Sequence, residues 1–338
     1  MKRLLLASSA LCLGAGMATA QDMADDGMME MAMPSVTVGG DGRMGVVFDD
    51  DENAKFSSRV RVSFTLAAAL DGGMTAGGSI RADNAPAGAK GTAGSVYLMG
   101  PFGKLAMGDV DPAAKAAVGH VGGVGYTGLG DLNEITYTRG ATAEEPALLY
   151  TLPMMGPVQA YASVGMETMA TAGADVHSLN AATGEIDAAA PTAQEVSFET
   201  FSVGAKADLA FGGDAGTAWI GGGFEGTPAE GNDGHLVVGA GVSASGFSGT
   251  LLAGTSDDAD QFGVSAGYSA GVIGATVFYT DDTEMVNAKG ERGNEALGVG
   301  LSWSLGGGAS LKGGVVTDIG QNGADDTRTA DLGVTFSF

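Results

Sequence analysis

Cysteine is missing from this 338-residue sequence except at Cys12, which falls inside an N-terminal leader. Lys2 and Arg3 precede the apolar stretch Leu4–Met17, and Ala18-Thr19-Ala20 offers a cleavage site before Gln21. That is the pattern of a secretory signal over residues 1–20. Leu11 stands where a lipoprotein signal needs a small residue, so lipidation is not expected. Disulfides and thiolate metal sites are thereby excluded from the exported chain. Positive charge is scarce too. Of 16 Lys and Arg, 14 remain once Lys2 and Arg3 leave with the signal, against 40 Asp and Glu, a formal charge of −26. Nucleic acid needs a basic footprint and is excluded as a partner. Beyond the leader no apolar run approaches the ~18 residues that announce a membrane-spanning helix. A β-barrel is untouched by that absence, because its strands never give long apolar runs.

Catalytic groups are equally thin. His120, His177 and His235 are the only histidines, and no GxSxG elbow links a strand to a helix. Neither a nucleophile–histidine pair nor a zinc centre can be assembled from them, so no enzyme activity and no cofactor are expected. The GGxGxDxx repeats of a soluble calcium-binding β-helix are missing as well.

What is present is alternation. In Lys55–Ala67, Phe56, Val60, Val62, Phe64 and Leu66 share one face, and Ser57, Arg59, Arg61, Ser63 and Thr65 the other. Successive strand residues point to opposite faces, so this strand has an apolar side and a cationic side. Val36–Phe48 repeats the pattern, with Asp41 and Arg43 on the polar face, and Met74–Ala82 places Ser79 and Arg81 there. Sixteen such segments follow one another from residue 35 to Phe338, joined by connectors that alternate short and long. A barrel fixed in a membrane sorts its connectors in this way, with short periplasmic turns and long outer loops. The expected fold is all-β, an antiparallel sixteen-stranded transmembrane barrel over residues 35–338. Ala330, Leu332, Val334, Phe336 and Phe338 give the last strand an outward apolar face, and pairing it with the strand near Val36 removes both sheet edges. Trp219 and Trp303 read as interface-girdle residues, and Tyr97 and Tyr161 as inward ones.

Acidic residues gather in the long connectors, which suits an outer leaflet of anionic lipopolysaccharide head groups bridged by divalent cations. Asp49, Asp50 and Asp51 form a candidate divalent-cation cluster, with calcium as its ion. Before the first strand, Gln21–Pro34 is acidic and methionine-rich and reads as a solvated extension. Residues 110–146 carry no clear strand or helix period, and a connector of that length is usually functional. Being the third long connector, it can fold inward and narrow the lumen. It carries Asp111, Asp131, Glu134, Glu144 and Glu145, just after Asp109. Arg43, Arg59, Arg61 and Arg81 would face these carboxylates from the wall. The pair of charged banks would set a transverse field across the constriction, or the arginines would pin the loop; the two readings are compatible.

The runs Gly39–Val47 (GGDGRMGVV), Phe56–Phe64 (FSSRVRVSF), Phe102–Asp109 (FGKLAMGD), Gly125–Asp131 (GYTGLGD), Pro146–Thr151 (PALLYT) and the closing ADLGVTFSF resemble those of general-diffusion porins of the alphaproteobacterial, Rhodobacter-like type. The resemblance implies a homotrimer of sixteen-stranded barrels, each with its third loop folded into the pore. It places the family's basic wall cluster on Arg43, Arg59 and Arg61, and its acidic inward loop on the segment with Asp131 and Glu134. Two departures stand out: the 21–34 extension and a third loop poorer in carboxylates. The expected function is passive diffusion of small hydrophilic solutes and ions across the outer membrane, with a weak cation preference that follows from the net charge. The alternatives are a solute-specific channel and a barrel serving as surface receptor or adhesin. A phosphate channel would need a lumenal ladder of cations, and a maltodextrin channel a longer aromatic slide.

Overall fold

The computed structural model describes residues 34–50, 53–83, 92–138, 147–169, 195–212, 215–226, 234–256, 259–286, 292–320 and 325–338. The expected signal peptide and, apart from Pro34, the acidic extension lie outside these residues. Sixteen strands run in chain order: β1 (Ser35–Phe48), β2 (Ala54–Leu70), β3 (Met74–Asp83), β4 (Thr92–Gly100), β5 (Gly103–Gly108), β6 (Ala147–Thr151), β7 (Val158–Met169), β8 (Glu195–Phe211), β9 (Gly216–Gly226), β10 (His235–Ala244), β11 (Phe247–Thr255), β12 (Asp260–Ala270), β13 (Ile273–Asp281), β14 (Glu295–Gly306), β15 (Ala309–Asp318) and β16 (Thr327–Ser337). Each pairs antiparallel with its sequence neighbours, and β1 pairs with β16 to close the ring. Closure satisfies the backbone of every strand from within the sheet, the condition a strand must meet in lipid. The seam continues to the last residue, where Gly40 and Phe338 exchange N–H···O bonds of 2.9 and 3.0 Å.

The expected alternation holds strand after strand. Val36, Val38, Met44, Phe56, Val60, Phe64, Leu236, Leu301, Leu332 and Phe338 stand exposed on the outer face, as lipid-facing side chains do. The ladder of β7 with β8 runs past an irregularity at Gly165/Met166 to Met169. Trp219 departs from its expected place. Its neighbour Ile220 is the outward residue, 60% exposed, so the indole points inward, over the Gly241 that it pairs with on β10. Apolar size suggested a girdle; the missing side chain opposite leaves room for the ring inside.

Nor is the third long connector free of helix. Ala113–Val118 form a short helix, α1, and Leu129–Asp131 a single 3-10 turn. Six residues, AAKAAV, are too few to display a helical period, and packing rather than propensity holds such a segment. Its buried face belongs to a cluster of Ala114, Ala117, Val118, Val121, Val124, Leu129, Ile135 and Tyr137 with Val237, Leu252, Phe278, Ala296 and Val316 of the inner wall. This apolar cluster therefore lies inside the barrel, between a loop and one side of the wall.

Candidate pore constriction

Glycine makes that seat. A Cβ on Gly204 of β8 would stand 2.4 Å from the carbonyl oxygen of Ala113, and one on Gly223 of β9 would stand 2.5 Å from Ala114 Cα. Farther round the wall, a Cβ at Gly300 of β14 would meet Val124 at 2.7 Å, and at Gly314 of β15 the Gly125 nitrogen at 2.7 Å. The loop runs round the inside of the barrel along a belt where glycines open space between the apolar side chains it packs on. Only glycine permits so close an approach of two backbones.

Polar groups at the belt's edges meet the loop backbone. Ser163 and Ser202 accept the N–H groups of Ala113 and Ala114, each at 2.8 Å, supplying the N-terminal cap that Pro112 does not provide. Ser265 accepts from Gly122 at 2.9 Å. Three carboxylates do the rest. Asp331 Oδ2 accepts from Tyr126 N, Thr127 N and Thr127 Oγ1 at 2.9, 2.8 and 2.6 Å. Asp282 Oδ2 accepts from Thr136 N and Oγ1 at 2.8 and 3.0 Å, and Glu225 Oε2 from Thr138 N at 2.7 Å. Burial raises the Asp282 carboxyl above its ordinary value, against the hydrogen bonds from Asn294 and Thr136 that favour the charged form. His235, buried beside Glu225, shares a 2.9 Å bond between its Nε2 and Gln261 Oε1, and Gln261 Nε2 donates to the Thr136 carbonyl at 3.0 Å.

The four arginines lie together on the uncovered wall. Strand register sets Arg43 opposite Arg59, Asp41 opposite Arg61, and Arg61 opposite Asp83. Arg59 Nη2 lies 3.5 Å from Asp41, and Asp83 bridges Arg61 Nε at 2.9 Å and Arg81 Nε at 3.2 Å. Arg43 crosses to the loop, donating from Nη1 to the Thr127 carbonyl at 2.8 Å. Wall carboxylates thus offset part of the wall's positive charge.

On the loop, Asp111 pairs with Lys115 at 3.1 Å and Glu134 lies 3.3 Å from His120 Nε2. Burial, with Lys115 adding to it, pushes His120 down to about 3, so the imidazole is neutral. Its Nδ1 accepts from Ile135 N at 3.1 Å, which leaves the proton on Nε2, facing Glu134. Glu134 itself is raised, first by burial and against the pull of Lys115. Asp131 holds a left-handed turn (φ 56°) whose N–H reaches Gly128, and Asp109 follows β5 with its N–H on the Gly94 carbonyl. Among the described residues, none of Asp109, Asp111, Asp131 and Glu134 pairs with a wall arginine. Glu144 and Glu145 lie outside the described residues. So does Asp51 of the candidate cation cluster, where Asp49 is taken up by Lys55 and the Asn53 N–H.

A Gram-negative porin profile matches residues 7–316. The chain belongs to that family. A curated porin of Rhodobacter capsulatus is 43% identical over 122 residues, a match that spans 34% of this chain and 40% of the relative. Among solved structures, a porin with 27% identity superposes with a TM-score of 0.66, covering 90% of this porin and the whole of that chain. A variant of Rh. blastica porin, 18% identical, reaches 0.64 over the same 90% and shares the fold.

Proposed function

We propose that this porin is a passive diffusion pore for small hydrophilic solutes and ions in the Gram-negative outer membrane, assembled as a homotrimer. One observation carries the reading: charged side chains inside a closed barrel stay wet on two facing banks. Arg81 and Asp41 on the wall are each 44% exposed, while Asp111 and Glu134 on the loop are 57% and 42% exposed. A strip of water between opposed charges filters by size and by dipole. A weak cation preference follows from the exported chain's charge of −26 and from Asp41 and Asp83, which blunt the arginine bank. The acidic long connectors suit contact with lipopolysaccharide through divalent cations. Inward Trp219, joining Tyr97 and Tyr161, favours the solute-specific alternative.

Single-channel recording of the refolded protein in a planar bilayer under a salt gradient tests all of this. Conductance in steps of three, rising nearly linearly with salt, with a cation-signed reversal potential, is the expected result. Current that saturates and is blocked by one solute would replace general diffusion with a specific channel. A folded, heat-modifiable barrel that passes no current would overturn the pore.

A further inference from the structure

Charge is sorted along the barrel axis as well as across it. Lys104 is the second residue of β5, Lys206 lies toward the end of β8, and Lys312 is the fourth residue of β15, so all three stand near short turns. Leu105, Val203, Leu209 and Val315 are exposed on the outer face, and strand parity therefore turns the three lysines into the lumen. Lys104 Nζ lies 4.7 Å from the centre of the Tyr97 ring, and Lys206 Nζ 5.3 Å from that of Trp219. Ammonium groups are attracted to ring faces at this range. Tyr97 lies over Gly77 and Trp219 over Gly241, so ring and lysine stay close to the wall and the charge is fixed there. Asp208 offsets Lys206 at 3.0 Å, but Lys104 and Lys312 form no ion pair with any described carboxylate. Near this rim the remaining described carboxylate is Asp71, exposed on the turn after β2.

Across the constriction the sign reverses. Asp111 and Glu134 stay wet on the loop, Asp49 follows β1, and Asp318 ends β15 at a long connector. On that side the described carboxylates outnumber the lysines and arginines, even with the bank of four arginines included. We propose that Lys104, Lys206 and Lys312 form a second charge filter, which draws anionic solutes to the inner mouth and makes the pore rectify. The inference rests on the channel reading above. A water-filled path with fixed negative charge at one end and positive charge at the other holds mostly cations in the first stretch and mostly anions in the second. A voltage positive on the long-connector side drives both kinds of ion toward the middle, where they accumulate and carry current. The opposite voltage draws both outward and depletes the middle. Salt weakens the effect, because fixed charge reaches ~10 Å at 0.1 M but only ~3 Å at 1 M.

The test records single openings of the refolded, heat-modifiable protein with the same KCl solution on both sides of a planar bilayer. Currents at equal and opposite voltages should differ about 1.5-fold at ~0.1 M and become nearly equal at ~1 M. In a D50C variant, a bulky impermeant maleimide added to one compartment marks the long-connector side, which should be the positive side at the larger current. K104Q/K206Q/K312Q should bring the low-salt ratio close to one. K312Q alone should lower it part of the way, and it decides the matter if the triple variant does not fold. Equal currents in the parent at low salt overturn the second filter while the pore stands. So do a larger current at the opposite polarity and a ratio that these variants leave unchanged. No current from any form overturns the channel reading and this proposal with it.

Discussion

Arg43 and Asp331 hold opposite ends of one residue. The guanidinium of Arg43 on β1 donates to the Thr127 carbonyl at 2.8 Å, and the carboxylate of Asp331 on β16 accepts the Thr127 N–H at 2.8 Å. The two strands are the pair that closes the barrel, so the loop packed inside it is fastened across the seam.

Asp331→Ala leaves three loop donors without their acceptor. Hydrogen bonds to a charged group contribute about 1.5–3 kcal/mol each, but the freed donors can turn to lumenal water, so a net loss of about 3 kcal/mol in unfolding free energy is expected, read as a lower urea midpoint. Open-channel noise should rise with it. Unchanged noise and an unchanged midpoint would show that the loop is held elsewhere.

Gly223→Val fills the belt where Ala114 lies 2.5 Å from a would-be Cβ. The barrel wall is continuous there, so α1 is the part expected to yield. Conductance should change and the loop should become cleavable by an added protease, while the heat-modifiable barrel persists. Resistance to cleavage equal to that of the parent would argue against the seat.

His120, held down near about 3 against an ordinary 6.5, makes stability depend on pH. An unfolded chain binds a proton at this site below about 6.5, the folded one only near 3. The contribution is thus fully present above pH 6.5 and is lost as pH falls toward 3, by at most about 1.4 kcal/mol per pH unit. Glu134, raised by burial, works in the opposite direction. His120→Gln should lose less stability than the parent between pH 6.5 and 4.5; equal losses would place the acid sensitivity in other groups.

Asp83→Asn removes the carboxylate shared by Arg61 and Arg81. The freed arginines should raise anion over cation permeability about twofold at low salt, read as a reversal potential under a gradient. A shift toward cations would mean that the arginine bank does not set selectivity.

The strands were legible because a period of two, repeated sixteen times between connectors of alternating length, leaves few other folds. The same parity was enough to put Arg43, Arg59, Arg61 and Arg81 on one inner face. The loop's seat was not legible. Asp331 acts on Thr127 from 204 positions away, and nothing local marks it. Glu225 and Asp282 stand at strand ends next to acidic connectors, and no local pattern sets them apart as anchors of the loop. The 59 glycines announced themselves only as composition, since a residue without a side chain does not say which face it leaves bare. Trp219 was misplaced for a related reason: the glycines that make room for it stand on the next strand.

The seam also fixes an order of events. The chain emerges from the ribosome N-terminus first, so β1 is made before β16, the strand that closes on it. No ring can exist until β16 has been made and exported. Asp331 lies on β16 itself, so this anchor of the loop becomes available only with the closing strand. The bore is given its final calibre in the last step of assembly, after every other part of the wall has been made.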